Sequence, residues 1–417
     1  MQQSALAGLL LILGVCAACA AEPVRPAKPA HDKQSFAEIE RGRYLATAGD
    51  CAACHTDPGG KPYAGGRPVE TPFGMLLAPN LTPDRATGIG AWSDEDFVNA
   101  LLNGRGAGGT RLYPAMPYTY YTKISRDDAL AIRAYLNTLE PVHNEVKSNQ
   151  LPFPFNIRLT MAGWDLLFFH AGRFQPVAGK SDEWNRGAYL VEGPGHCGLC
   201  HTPKNFLGAD ETDNVLQGSV LQGWFAPDLT GDPRRGLGSW SADDIIAYLK
   251  TGHNRISFAT GPMSEVISDS TSRMTDDDLK AIAAYLKDQA APKESPPAAV
   301  SAQNNSMRSG ETIYVDNCSA CHGPGGKGIT HLFPALDDNP IVQSKDATSL
   351  IRVTLEGAQN VATQAAPTGP AMPAFYWKLS NAQIADALTY IRNSWGNRAS
   401  AVSSGQVDDV RSEPTQR

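Results

Sequence analysis

A chain of 417 residues is long enough for two or three domains. Its 42% hydrophobic, 8% aromatic and 19% charged residues match a folded globular protein, which excludes overall disorder and a polytopic membrane protein. The formal charge of −7 argues against nucleic-acid binding, which calls for a basic surface.

Residues 5–20 form an apolar run ending in small residues, and Ala18-Cys19-Ala20 fits a cleavage site, so 1–20 reads as a secretory signal peptide. No Lys or Arg precedes the run. A retained anchor and lipidation of Cys16 or Cys19 are the alternatives, the first weakened because the run falls short of the ~20 residues of a span.

The rest of the chain repeats itself. The first copy opens Arg41-Gly42-Arg43-Tyr44-Leu45 and reaches Cys51-Ala-Ala-Cys54-His55. The second opens Arg186-Gly187-Ala188-Tyr189-Leu190 and reaches Cys197-Gly-Leu-Cys200-His201. The third runs from Gly310 through Tyr314 to Cys318-Ser-Ala-Cys321-His322. Downstream, Pro79-Asn80-Leu81-Thr82 matches Pro227-Asp228-Leu229-Thr230 and, loosely, Pro334-Ala335-Leu336. Ser93 and Ser241 then read as helix N-caps with acids in the first turn, where the helix dipole favours them. Apolar residues at helical spacing predict a closing helix in each copy, over 125–139, 275–287 and 380–395.

Between copies the chain changes character. Residues 146–180 read as an apolar interdomain segment, within which 151–169 is either a short helix buried between the first two domains or an interfacial, partner-docking patch. Residues 290–309 read as a flexible, low-complexity linker, and 397–417 as a disordered polar tail. The domains are then expected at 35–145, 181–289 and 310–396.

Cys-x-x-Cys-His is the attachment motif of a c-type haem: two thiols three apart form thioethers, and the adjacent His ligates the iron from below. Chance would give roughly 0.003 such matches in a chain of this composition, against three found. A zinc ribbon would not need His after every pair, a thioredoxin-like site needs a βαβ context, and a structural disulfide does not span this turn. The sixth ligands are sought among methionines, whose soft thioether suits haem iron. Met116 and Met372 stand in Pro-Ala-Met-Pro loops before the closing helix, and Met263 occupies the matching place in copy two. Its competitor Met274 directly precedes the N-cap Thr275, which reads as a hydrophobic staple toward Leu279. Met75, Met161 and Met307 have no counterparts in the other copies. The proximal imidazoles need an acceptor on their second nitrogen, for which the carbonyls of Pro79, Pro227 and Pro334 are candidates unless those prolines merely make turns. His31, His143, His170, His196, His253 and His331 lack counterparts and read as surface or internally satisfied histidines.

These runs, together with Asn80-Leu-Thr-Pro-Asp84, Tyr113-Pro-Ala-Met-Pro117 and His196-Cys-Gly-Leu-Cys-His-Thr-Pro203, resemble the tri-haem cytochrome c subunits of bacterial membrane-bound dehydrogenases. That family partners alcohol, gluconate, sorbitol or aldehyde dehydrogenases, and related chains serve molybdenum hydroxylases. The resemblance implies an all-α protein of three tandem cytochrome c-like haem domains. Its cofactors are three covalent haems c, held by Cys51, Cys54, His55, Cys197, Cys200, His201, Cys318, Cys321 and His322 with Met116, Met263 and Met372 opposite. It also implies a flavin-, quinone- or molybdenum-dependent catalytic subunit as partner, ubiquinone or another acceptor downstream, and a periplasmic place on the outer face of the cytoplasmic membrane. The chain alone is expected to turn over no organic substrate. A free-standing electron shuttle and a haem enzyme such as a peroxidase are the rival readings.

Overall fold

The computed structural model describes residues 35–413 apart from 148; the signal peptide, Cys16, Cys19 and His31 lie outside the described residues. In copy one, α1 (Phe36–Ala48) is started by Ser35, whose hydroxyl accepts from the Glu38 amide at 3.1 Å. Helix α2 (Asp94–Asn103) follows Ser93 with a full capping box closed by Asp96. The copy ends on α3 (Arg126–Leu136), capped by Ser125. Helix α4 (Met161–Phe168) lies in the connection to copy two. That copy holds α5 (Asp182–Glu192), α6 (Ala242–Thr251) with the Ser241–Asp244 capping box, α7 (Pro262–Asp269) and α8 (Asp276–Lys287). Copy three holds α9 (Asn305–Asn317), α10 (Thr348–Glu356) and α11 (Asn381–Ile391), and a last helix, α12 (Ser404–Ser412), follows it.

One crossing recurs. In each copy the opening helix packs across the closing helix, α1 on α3, α5 on α8 and α9 on α11. The contact point is a glycine. A Cβ on Gly42 would stand 1.7 Å from the Ala131 carbonyl oxygen, one on Gly187 1.9 Å from that of Ala281, and one on Gly310 2.1 Å from that of Asp386. No other residue lets the two backbones approach so closely. Around each crossing a hydrophobic core forms, with Leu45, Leu102 and Ile132 in copy one, Leu190, Leu279 and Ile282 in copy two, and Tyr314, Ile384 and Leu388 in copy three.

The fold is mostly helical but not all-α: short antiparallel pairs punctuate it, which a helix-only reading of the repeat misses. Strand β1 (Pro68–Thr71) pairs with β2 (Gly74–Leu77), and β2 pairs in turn with β3 (Asn149–Gln150). Strands β4 (Ser219–Leu221) and β5 (Trp224–Ala226) form a second hairpin, β6 (Ala358–Gln359) and β7 (Ala371–Met372) a third pair. The first two hairpins run directly into the Pro79 and Pro227 segments.

The joints depart from expectation. The tail past 396 is not disordered over its described part: Val402, Val407 and Val410 enter the third core, and the Arg411 guanidinium donates to the Tyr376 and Leu379 carbonyls. Nor is the whole linker loose. Helix α9 begins at Asn305 with Met307 buried, Glu294 pairs with Arg235 at 2.8 Å, and the Val300 amide bonds Asn393 Oδ1 at 3.0 Å. Helix α4 has no buried residue, so the reading of 151–169 as an element buried between two domains fails; only Leu151 is well covered.

Copies one and two meet through a reciprocal polar contact. Tyr44 of copy one donates to Asp278 of copy two at 2.6 Å, and Tyr189 of copy two donates to Asp128 of copy one. Each aspartate is also gripped within its own copy, Asp128 by Arg41 at 2.5 Å and Asp278 by Arg186 at 2.8 Å on both oxygens. The repeated Arg-Gly-x-Tyr run thus has a part for each member: Arg for its own closing helix, Gly for the crossing, Tyr for the neighbouring copy. Copy three docks differently, with Ser349 Oγ clasping the Phe225 amide and carbonyl at 2.8 and 3.0 Å and Arg352 donating to the Gly223 carbonyl at 2.8 Å.

Burial raises the Asp278 pKa, but the hydrogen bonds from Arg186 and Tyr44 outweigh it and hold the carboxyl below its ordinary value. A depressed folded pKa contributes stability that is fully present above the unfolded value of about 3.9 and is lost as pH falls through the folded value. Thermal unfolding should therefore show an acid-side loss below about pH 4 that Asp278→Asn flattens; an unchanged acid limb would remove Asp278 from the interface account. Gly42→Ala should cost about 1–3 kcal/mol or more by overpacking, whereas Gly163→Ala, whose Cβ meets nothing within 4 Å, should be neutral or stabilising. Paired denaturant titrations decide the point.

Candidate functional site

The three Cys-x-x-Cys-His runs form the same element, a single helical turn: Cys51–His55, Gly198–His201 and Ser319–His322. Among the described residues none of the six motif cysteines is in a disulfide. Burial pushes Cys51 and Cys197 up to about 12 and Cys54 and Cys318 up to about 11, so these sulfurs stay protonated and neutral. Among the described residues no three His, Cys, Asp or Glu side chains gather as a metal cluster, so the pairs do not converge as zinc ligands would.

Each imidazole is held by a proline carbonyl. His55 Nδ1 lies 2.8 Å from Pro79 O, His201 Nδ1 2.6 Å from Pro227 O, and His322 Nδ1 2.9 Å from Pro334 O. A carbonyl only accepts, so Nδ1 carries the proton and Nε2 keeps its lone pair. Burial lowers all three imidazole pKa values, that of His201 to about 4, which keeps the rings neutral and ready to ligate.

A second recurrent contact was not singled out from sequence. The carbonyl of each motif histidine accepts from a glycine amide: His55 from Gly65 at 2.8 Å, His201 from Gly218 at 2.8 Å and His322 from Gly328 at 2.9 Å. All three glycines have positive φ, +74°, +83° and +59°. A Cβ would come within 2.3–2.7 Å of neighbouring atoms at each. Their spacing from the histidine differs in every copy, so no common offset betrays them; positive φ in a turn is the only shared signal.

The methionines divide. Met116 packs on the first core and Met372, in β7, on the third, both half-buried. Met263 is also half-buried, but it sits in the first turn of α7 rather than in a loop, because Pro262 starts a helix there. Met274 is 4% exposed and shares the second core with Leu279, as a staple should. Helix α7 also reaches the neighbouring copy: Glu265 binds Arg67 through both oxygens at 2.5 and 2.8 Å, and the helix packs on the Cys51–His55 turn. Helix α7 of copy two therefore lies against the attachment turn of copy one. His196, half-buried, packs against the Tyr121 ring at 5.5 Å, and burial lowers its pKa to about 4. Asp50, just before Cys51, is raised to about 8 by burial and by Asp269 and Glu265.

A c-type haem fits this donor set: two cysteines at the thioether spacing, a neutral imidazole with Nε2 free, and a methionine thioether in each copy. The core that packs Cys197 also holds Trp240, whose buried indole Nε1 has no hydrogen-bond partner, an unmet donor suited to an acidic group bound there.

Turns of this kind, each closed under a helix crossing, define a haem-thioether electron carrier. The chain belongs to the cytochrome c family, which it matches over residues 39–140, 185–290 and 307–395, each stretch containing one Cys-x-x-Cys-His turn. It is 40% identical over 406 residues to the gluconate 2-dehydrogenase cytochrome c subunit of Pantoea cypripedii, covering 93% of this chain and 92% of that one. It is 38% identical over 400 residues to the cytochrome c subunit of a quinone-type alcohol dehydrogenase from Gluconacetobacter polyoxogenes, covering 90% and 84%. To the fructose dehydrogenase cytochrome subunit of Gluconobacter japonicus it is 37% identical over 402 residues, covering 89% and 82%.

The glycine contact is testable. Gly218→Ala should destabilise copy two by about 1–3 kcal/mol, through strained backbone at φ +83° and collision with the Phe225 ring 2.7 Å away, read as a lower unfolding midpoint.

Proposed function

We propose that this chain carries three covalent haems c and relays electrons through them as the cytochrome subunit of a dehydrogenase complex. Cys51 and Cys54, Cys197 and Cys200, and Cys318 and Cys321 form the thioethers; His55, His201 and His322 are the proximal ligands, and Met116, Met263 and Met372 the opposite ones. The observation that carries this reading is the threefold turn whose histidine gives Nδ1–H to a proline carbonyl. A bound haem supplies one-electron chemistry. The chain's own residues hold each imidazole in one tautomer and set the first two copies at fixed spacing through the Tyr44–Asp278 and Tyr189–Asp128 contacts.

The relatives named as dehydrogenase subunits support a dehydrogenase catalytic partner; that it is flavin-, quinone- or molybdenum-dependent, and that electrons pass on toward ubiquinone, is part of the proposal. The apolar run 5–20 supports export to the periplasm, and peripheral attachment to the outer face of the cytoplasmic membrane completes the reading. Among the described residues no helix is long and apolar enough to cross a membrane. Were His55, His201 and His322 to hold the irons with Met116, Met263 and Met372 opposite, no position would be left for an organic substrate, so the isolated chain should oxidise no alcohol, sugar acid or aldehyde and should exchange electrons with small redox reagents.

Mass spectrometry of the denatured holoprotein should show three haem additions; one or two would leave a motif vacant and break the relay. Met372→Ala should remove about one third of the near-infrared sulfur-to-iron absorption, one ligand in three, and lower one potential. Met263→Ala should do the same. Met274→Ala should leave that band intact and cost about 2–4 kcal/mol of packing. The reverse pattern for Met263 and Met274 would exchange their roles.

A further inference from the structure

Copy two holds its methionine differently from the other two. Met116 is followed by Pro117 and Met372 by Pro373, and Met372 is further pinned in the β6–β7 pair. A proline fixes its own φ and keeps the residue before it out of the helical region, so those two loops carry their own stiffness. Met263 is followed by Ser264 and has no such lock. It rides in the first turn of α7, so the position of its sulfur follows the position of that helix.

Along its length α7 is gripped by groups that reach in from the other copies. Before its first turn, Gly261 lies so near the Trp224 ring that a Cβ would stand 2.6 Å from the indole, and the Arg352 guanidinium of copy three lies over that ring at 5.6 Å. Two residues past Met263, Glu265 accepts from both terminal nitrogens of Arg67 in copy one, at 2.5 and 2.8 Å. Just after the last turn, the buried Ser270 hydroxyl donates to the Ala48 carbonyl of copy one at 3.0 Å. Ile267 is fully buried, and the helix rests on the Cys51–His55 turn. A planar guanidinium bonded to both oxygens of one carboxylate fixes orientation as well as distance, where an ammonium fixes distance alone.

We infer that Arg67 of copy one is a positioning residue for the Met263 thioether. Through Glu265 it sets the height and rotation of α7, and so how firmly Met263 stays on the haem of copy two. This rests on the reading of Met263 as a sixth ligand and adds that a neighbouring copy, rather than the methionine's own loop, keeps it in place. Ligation in copy two is thereby coupled to the docking of copy one, while Met116 and Met372 are held within their own copies.

The test is an imidazole titration of the oxidised holoprotein, because imidazole takes an iron position only where methionine yields it. Loss of the near-infrared sulfur-to-iron absorption is followed. The component that Met263→Ala removes should be displaced in Arg67→Ala at about 3- to 10-fold lower imidazole, the worth of a half-buried bidentate pair. Glu265→Gln should give the same shift from the other side of the pair, and Arg67→Lys a smaller one. In the Met263→Ala background, Arg67→Ala should change nothing further. An unshifted titration in folded Arg67→Ala and Glu265→Gln overturns the proposal, as does a shift in a component that survives Met263→Ala. A lowered potential with unchanged imidazole demand reports only the lost positive charge and overturns it too. If Met263→Ala leaves the absorption whole, the ligand assignment fails and the proposal falls with it. If the absorption shrinks there but Arg67→Ala brings no shift, the ligand assignment stands and the positioning role alone is lost.

Discussion

Each copy depends on a close approach between two helix backbones, made where a glycine in the opening helix lies under a carbonyl of the closing one. Gly42 against Ala131, Gly187 against Ala281 and Gly310 against Asp386 leave no room for a side chain. Because the two helices lie so near, the turn that follows the opening helix starts at a defined height and angle. That turn bears both thiols and the histidine. The proline carbonyl and the left-handed glycine amide then grip the histidine from the ring and from the backbone. The site is thus a consequence of backbone packing first and of side-chain chemistry second.

The three copies are not joined alike. The first two share a reciprocal contact in which each tyrosine reaches the other copy's aspartate, an arrangement resembling a two-fold dimer interface built within one chain. The third is attached through main-chain groups of the β4–β5 hairpin, which Ser349 and Arg352 bond. One family module therefore serves as partner in two kinds of interface. Selection of the interface lies in a few side chains outside the haem turn.

Much of this was readable from residues in local contact. Ser93, Ser125, Ser241, Thr275 and Ser380 announced helix starts because a cap needs only the amide two or three residues on. Pro79, Pro227 and Pro334 could be proposed as acceptors because repetition lifted them above ordinary turn residues. The misreadings share a cause. Residues 397–413 look like a solvated tail because most are polar, but two valines a helical turn apart and Arg411 suffice to bind the segment. Met263 aligns with loop methionines, yet Pro262 at the first helical position starts α7 around it.

The caps, the Cys-x-x-Cys-His turns and the repeat itself are written into short stretches of chain, since each rests on interactions within a few residues. Which tyrosine finds which aspartate, where the variable-length loops deliver Gly65, Gly218 and Gly328, and that the apolar stretch around α4 faces outward follow only from the packed chain. Those features join residues far apart in sequence, and the free energy that selects them belongs to the packing of the copies together, which no local stretch encodes.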